Sequence, residues 1–321
     1  MKFDIITVGD GVVDAFMETE LSETKGKICM PADSKIKAED MWFSVGGCGV
    51  NTVVGFSKLG LTTGFLGNLG KDENAELILA KLKEEKVSFL GKRVKEKTGY
   101  SFIVDSKKKN RTILTYKGAA LTLKWRDFEI GKLKTDWFYL AVREGRTLKT
   151  QVKLAKWAKK KGIKVACNPS GNIIKNHKRK LKKILKYTDV FILNKEEAEA
   201  FVGKKDAFKR IHKFGVKIVC ITNGDKGSKV SDGNKVYNRK ARKVKIVEKT
   251  GAGDAFASGF VFGIIKEFDI DKAMKIGSLN AEGVIKKRGA SNGLLSWGEV
   301  RGKLGKDREK ASKVKGGRKR K

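Results

Sequence analysis

Trp137-Phe138-Tyr139-Leu140-Ala141-Val142 is a continuous apolar run of strand length, and Ile163-Lys164-Val165-Ala166-Cys167 follows it after a stretch that reads as a helix over 148–161. The rhythm continues. Strands are expected at 189–193 and 216–221, and helices at 175–186 and 195–202. Short strands alternating with helices point to βαβ units and a parallel sheet. Upstream, 3–8 reads as a strand ended by Gly9, and Gly64-Phe65-Leu66-Gly67 as a short one. A helix is expected over 73–85, and strands over 100–105 and 111–116 joined by the polar turn 106–110. Residues 15–45 are mixed and suggest short strands that leave the main sheet, while helices over 253–266 and 270–286 close the chain's ordered part. The expected fold class is α/β, with a doubly wound, mostly parallel sheet.

Ligands of an open parallel sheet sit beyond the carboxyl ends of its strands. The residues just past the expected strands are Asp14, Arg143, Asn168, Asn194 and Thr222. Each alone reads as a turn or cap residue. Together on one rim they point to a site. Two glycine clusters add to this. The first is Ser44-Val45-Gly46-Gly47-Cys48-Gly49-Val50-Asn51, leading into a helix to about Leu59. The second, Thr250-Gly251-Ala252-Gly253-Asp254-Ala255-Phe256, reads as a loop turning into a helix near Gly253. Backbone N–H groups at such a start lack intrahelical partners, and small residues let an anion approach them. Asp254 beside that anion makes sense as a general base. The plain alternative is a helix start at which the dipole favours an acid. Neither GxxxxGK[ST] nor a GxGxxG after the first strand is present, so a nucleotide must be held another way.

Composition narrows the function classes. The 321 residues can bury a sizeable core, and two prolines with thirty-six glycines suit a compact enzyme. Cys29, Cys48, Cys167 and Cys220 form no CxxC pair, which fits a reducing, cytoplasmic setting. His177 and His212 are the only histidines, which argues against a His-based triad or a three-histidine metal site. No signal peptide or membrane span is expected. The formal net charge of +36 raises polyanion binding, but the lysines are spread over the whole chain. Residues 306–321 are the local exception, a basic segment expected to be a disordered tail with weak, non-specific affinity for polyanions.

Five motifs in order carry a resemblance. They are Gly46-Gly47 with Asn51, Asn194 with Glu197, Thr222-Asn223-Gly224-Asp225-Lys226-Gly227, Gly251-Ala252-Gly253-Asp254, and Asn280 followed by Gly289-Ala290. Over about Phe3 to Trp297 the chain resembles the ribokinase-like carbohydrate kinases of the phosphofructokinase-B family. The resemblance implies a kinase domain over 1–305 that uses ATP and Mg²⁺. Its small β-sheet lid, about 15–40 and 98–118, would exclude water from the transfer. Asp254 would be the base, and Gly251, Ala252 and Gly253 an anion hole. Asp14, Gly46, Gly47 and Asn51 would grip a sugar. Asn194, Thr222, Gly224, Gly227 and Asn280 would line the ATP site, with Glu197 organising Mg²⁺ through water. The same scaffold serves nucleoside kinases, and a nucleic-acid-binding protein on a kinase scaffold is the third reading. In this family the lid often joins two copies in a homodimer.

The chain departs from the family pattern in three places. Glu248-Lys249 stands where the family usually has Asp-Thr, which puts its monovalent-cation site in question. Lys249 either supplies a fixed positive charge there or points to solvent. Val12 stands where ribokinase itself carries an Asn that helps bind ribose, so ribose is not assured. Arg143 reads either as a salt bridge to Glu144 or a surface residue, or as a contact to an anionic substrate group.

Overall fold

A computed structural model describes residues 1–108 and 110–305; the tail expected at 306–321 lies outside the described residues. A nine-stranded sheet forms the body, in the order 236–239, 228–231, 218–222, 190–194, 164–169, 135–142, 3–8, 63–66, 88–89. The seven strands from 218–222 to 88–89 pair in parallel, and the two at the other edge are antiparallel. Strands such as Thr135–Val142 are buried almost end to end because helices cover both faces, so they read as apolar runs. One face packs under helices that include Gly145–Lys160 and Lys178–Leu185. The other packs under Cys48–Lys58, Ala252–Ile265 and Ile270–Val284. Among the described residues no helix is long and apolar enough to cross a membrane.

Helix ends follow local chemistry. Asp72 accepts from the Ala75 N–H at 3.0 Å and Asp269 from the Lys272 N–H at 2.7 Å, each satisfying a free donor of a first turn. The single helix expected over 175–186 is instead two, Gly171–Asn176 and Lys178–Leu185, broken at His177. His177 closes the first by donating its N–H to Ile173 O at 2.9 Å, and opens the second by accepting from Leu181 N at 3.0 Å.

The second sheet has four strands in the order 40–46, 12–18, 99–105, 111–116. It is wider than the lid segments expected at 15–40 and 98–118, because Asp40–Gly46 joins it and Val12–Glu18 starts before residue 15. Asp14 is therefore inside a strand and not just past one. Register puts Ser44, Asp14, Ser101 and Thr115 side by side in one polar row on one face. The next row, on the opposite face, is Phe43, Ala15, Phe102 and Leu114.

Candidate active site

Asp254 sits in the first turn of Ala252–Ile265, whose N-cap Gly251 has φ 81. A side chain at Gly251 would meet Ala290 O at 2.1 Å, so both the turn and the packing require glycine. Asn51, from the Cys48–Lys58 helix, donates Nδ2 to Asp254 Oδ2 at 2.8 Å. Burial raises the Asp254 pKa, and the Asn51 donor and the Arg143 charge partly oppose that rise. Asn51→Leu removes a lowering cause. Its acid limb in the pH profile of kcat/KM is therefore expected at higher pH than the parent's. An unmoved limb would mean that another group controls it.

Gly253 and Asp254 line a cleft of about 520 Å³, with Cys48, Thr115, Lys117, Arg143, Asn168, Asn194, Glu197 and Thr222 among its walls. Of the three residues expected to form an anion hole, Gly253 alone lines the cleft. Gly251 and Ala252 do not line the cleft, and the Ala252 N–H turns back to Lys249 O at 3.3 Å. Gly253 has open space above it. The helix start thus offers an anion its Gly253 end.

The polar row of the small sheet faces the same region, with Thr115 on the cleft wall. Asp14 is 7% exposed, and burial pushes its pKa up to about 6 against the opposing effect of the Ser101 hydroxyl. A Cβ on Gly46 would stand 2.3 Å from Asp14 Oδ2 and 4.0 Å from Asn51 Oδ1, so bare backbone at Gly46 lets these two oxygens converge. Asn51 Oδ1 is buried and has no hydrogen-bond partner among the described residues. Buried acceptors rarely stay empty, and a hydroxyl or N–H donor would satisfy this one. Gly47 is the N-cap of the Asn51 helix and accepts from Asn51 N at 2.8 Å.

Asn194 ends its strand and caps Lys195–Val202. Its Oδ1 accepts from Glu197 N at 2.8 Å, while Glu197 Oε2 accepts from Asn194 N at 2.9 Å. Glu197 Oε1 makes no hydrogen bond among the described residues. Among the described residues no cluster of three or more His, Cys, Asp or Glu could hold a metal directly. One carboxylate oxygen beside amide oxygens does fit Mg²⁺, which keeps several waters and is usually held by one or two carboxylates and by phosphates. Thr222 reaches the cleft wall, whereas Gly224 and Gly227 shape the loop behind it, where Asn223 N donates to Gly227 O at 2.7 Å. Asn280 does not reach the cleft. It is fully buried, donating to Ala255 O at 2.9 Å and accepting from Leu295 N at 2.9 Å, so it ties two helices and a loop together.

In the loop before the signature Lys249 is exposed, the second of the two readings given for it. The fixed positive charge there is the Arg111 guanidinium, reaching across from the small sheet to pair with Glu248 and to donate to Thr250 Oγ1 at 2.7 Å. Glu248 Oε1 also accepts from Thr250 N at 3.0 Å. Arg143 pairs with neither Glu144 nor solvent: it is 7% exposed, with Nε 2.9 Å from Asp10 Oδ2. The charges of Arg143 and Lys117 hold the Asp10 pKa down against its burial. Asp10 was given no role from sequence, although it stands just past the first strand on the ligand rim, where it could have been found. Cys48, Thr115 and Lys117 carried no local signal.

Comparison with known proteins agrees with this geometry. The model of the pfkB family carbohydrate kinases matches residues 11–297. An uncharacterized sugar kinase of Archaeoglobus fulgidus is 29% identical over 245 residues, covering 75% of this chain and 98% of that protein. A ribokinase of Haemophilus influenzae is 27% identical, covering 81% and 87%. The crystal structure of the Methanocaldococcus jannaschii nucleoside kinase superposes with a TM-score of 0.81 at 25% identity, over 95% of this chain and 99% of the other.

Proposed function

Because the chain belongs to the pfkB family of carbohydrate kinases, we propose that it transfers the γ-phosphate of ATP to a sugar hydroxyl, with Asp254 as general base. The observation that carries this is the Asn51–Asp254 pair at a helix start that opens, through Gly253, into the cleft. The acceptor hydroxyl would lie between Asp14, Asn51 and Asp254. Asp254 takes its proton as the oxygen attacks the γ-phosphorus, and the bond from that phosphorus to the leaving ADP oxygen breaks. The N–H groups at the Gly253 end of the helix would receive the transferred group's charge. Asn194 and Thr222 would face the nucleotide, and Asn194 with Glu197 would hold Mg²⁺ through water. When bound, that ion would offset the charge of the phosphates. The small sheet would act as a lid that keeps water from the transfer. A second copy would cover its outer row, where Phe43 is 55% and Leu114 63% exposed.

The test is ADP formation from ATP with a panel of sugars and nucleosides. Nucleosides belong in it because the chain is similar to a nucleoside kinase of Methanocaldococcus jannaschii, 27% identical over 267 residues. No turnover with any acceptor would overturn the reading. The Arg111–Glu248 pair leads to one further expectation, since a built-in cation repels a bound one and supplies part of its field. Turnover at constant ionic strength should change little when potassium is exchanged for a bulky organic cation. Strong activation by potassium would contradict this.

A further inference from the structure

At the floor of the cleft two cations share one carboxylate. Arg143 Nε lies 2.9 Å from Asp10 Oδ2, and Lys117 Nζ lies 3.6 Å from the same oxygen. Asp10 Oδ1 accepts from Gly49 N at 3.3 Å. Asp14, Glu197 and Asp254 also face this region, but among the described residues only Asp10 is within ion-pair distance of Arg143. A guanidinium carries five N–H donors in a planar fork. Nε lies beside Asp10 Oδ2 without a hydrogen bond to it, Nη1 donates to Val142 O at 3.2 Å, and Nη2 makes no hydrogen bond among the described residues. A buried cation with unused donors on a cleft wall is built to receive an anion.

The order of strands says which end of the cleft this is. Arg143 follows Thr135–Val142, which pairs with Phe3–Val8, the strand leading to Asp10. On the other side Asn194 stands two strands away and Thr222 three. At about 4.8 Å per strand, Thr222 is roughly 14 Å along the rim. Arg143 therefore belongs to the acceptor's end, and Lys117, just past the Arg111–Tyr116 strand, joins it there from the small sheet.

We propose that the acceptor is an anionic sugar, carrying a carboxylate or a phosphate group that Arg143 and Lys117 bind while Asp254 faces the hydroxyl. This rests on the kinase reading. Four carboxylates, Asp10, Asp14, Glu197 and Asp254, face this region against the two cations, so what favours an anion is local: the unused Arg143 donor with the Lys117 ammonium on the same wall. A neutral sugar offers these two cationic donors no charged acceptor, so the site discriminates by charge.

The experiment measures kcat/KM of the full chain for matched pairs: glucose against gluconate, ribose against ribose 5-phosphate, fructose against fructose 6-phosphate. At least one anionic member should be preferred by roughly tenfold or more, a charged hydrogen bond's worth. The carboxylate and phosphate arms distinguish the two groups. Lys117→Gln, at a side chain 32% exposed, should lower kcat/KM for that member roughly tenfold more than for its neutral partner. Arg143→Gln should widen the difference further. If burial of Asp10 then prevents folding, Lys117→Gln and the wild-type pairs still decide. A neutral preference in every pair, or equal losses for both members in the variants, overturns the proposal. No turnover with any acceptor overturns the kinase reading, and this proposal with it.

Discussion

Asp254→Asn is expected to lower kcat roughly 10²–10⁴-fold, the usual cost of removing a general base, while the affinity for ATP stays near the parent's. The amide keeps the shape and the contact with Asn51 but cannot take a proton. Binding should survive because Thr222, Asn194 and Glu197, the residues at the nucleotide end, belong to other strands and helices. Direct titration of ATP alongside steady-state turnover separates the two effects. Near-normal turnover would remove Asp254 from the mechanism. Equal loss of ATP affinity would make its role structural.

Asp14→Ala is expected to lower kcat/KM for the acceptor roughly 10²–10³-fold, the loss of two hydrogen bonds to a charged acceptor, with KM for ATP little changed. Stability should move the other way. The folded-state pKa of about 6 lies above the ordinary value of 3.8, mainly because of burial. The folded protein therefore holds this proton more tightly than the unfolded chain. Ionising Asp14 costs stability, beginning as pH rises past 3.8 and complete above about 6. At pH 7.5 the alanine variant should melt above the parent, and at pH 4 the gain should shrink. A lower melting temperature at pH 7.5 would show that Asp14 holds the fold together. A gain in stability with a loss in activity is what a carboxylate kept for a substrate produces.

The rhythm of strands and helices from 137 to 222 was legible because it needs only neighbours in sequence. Apolar runs of strand length and amphipathic helices are set by what each segment buries. The glycine–alanine–glycine–aspartate turn was legible for a similar reason, since a helix start beside small residues is local chemistry. Arg143, Asn168, Asn194 and Thr222 were placed on one cleft wall by the rule for parallel sheets, and the structure brings them there. The hairpin of Ser228–Ser231 and Val236–Arg239 was missed, because four-residue strands carry too few positions for a pattern to stand out.

Tertiary structure alone decided which charges meet. Arg143 reads as a partner for Glu144, a surface residue or a contact to an anionic group, and it is the strand pairing of 3–8 with 135–142 that sets it against Asp10. Glu248 and Lys249 read as a local exchange of one cation site for another, yet the cation that arrives is Arg111 from the small sheet. The resemblance puts Asn280 at the nucleotide, yet packing of the last two long helices turns its amide inward. Sequence fixes which side chains can ionise or donate and how each short segment folds. Pair energies depend on distance and burial, and both are created only when segments far apart in the chain pack together.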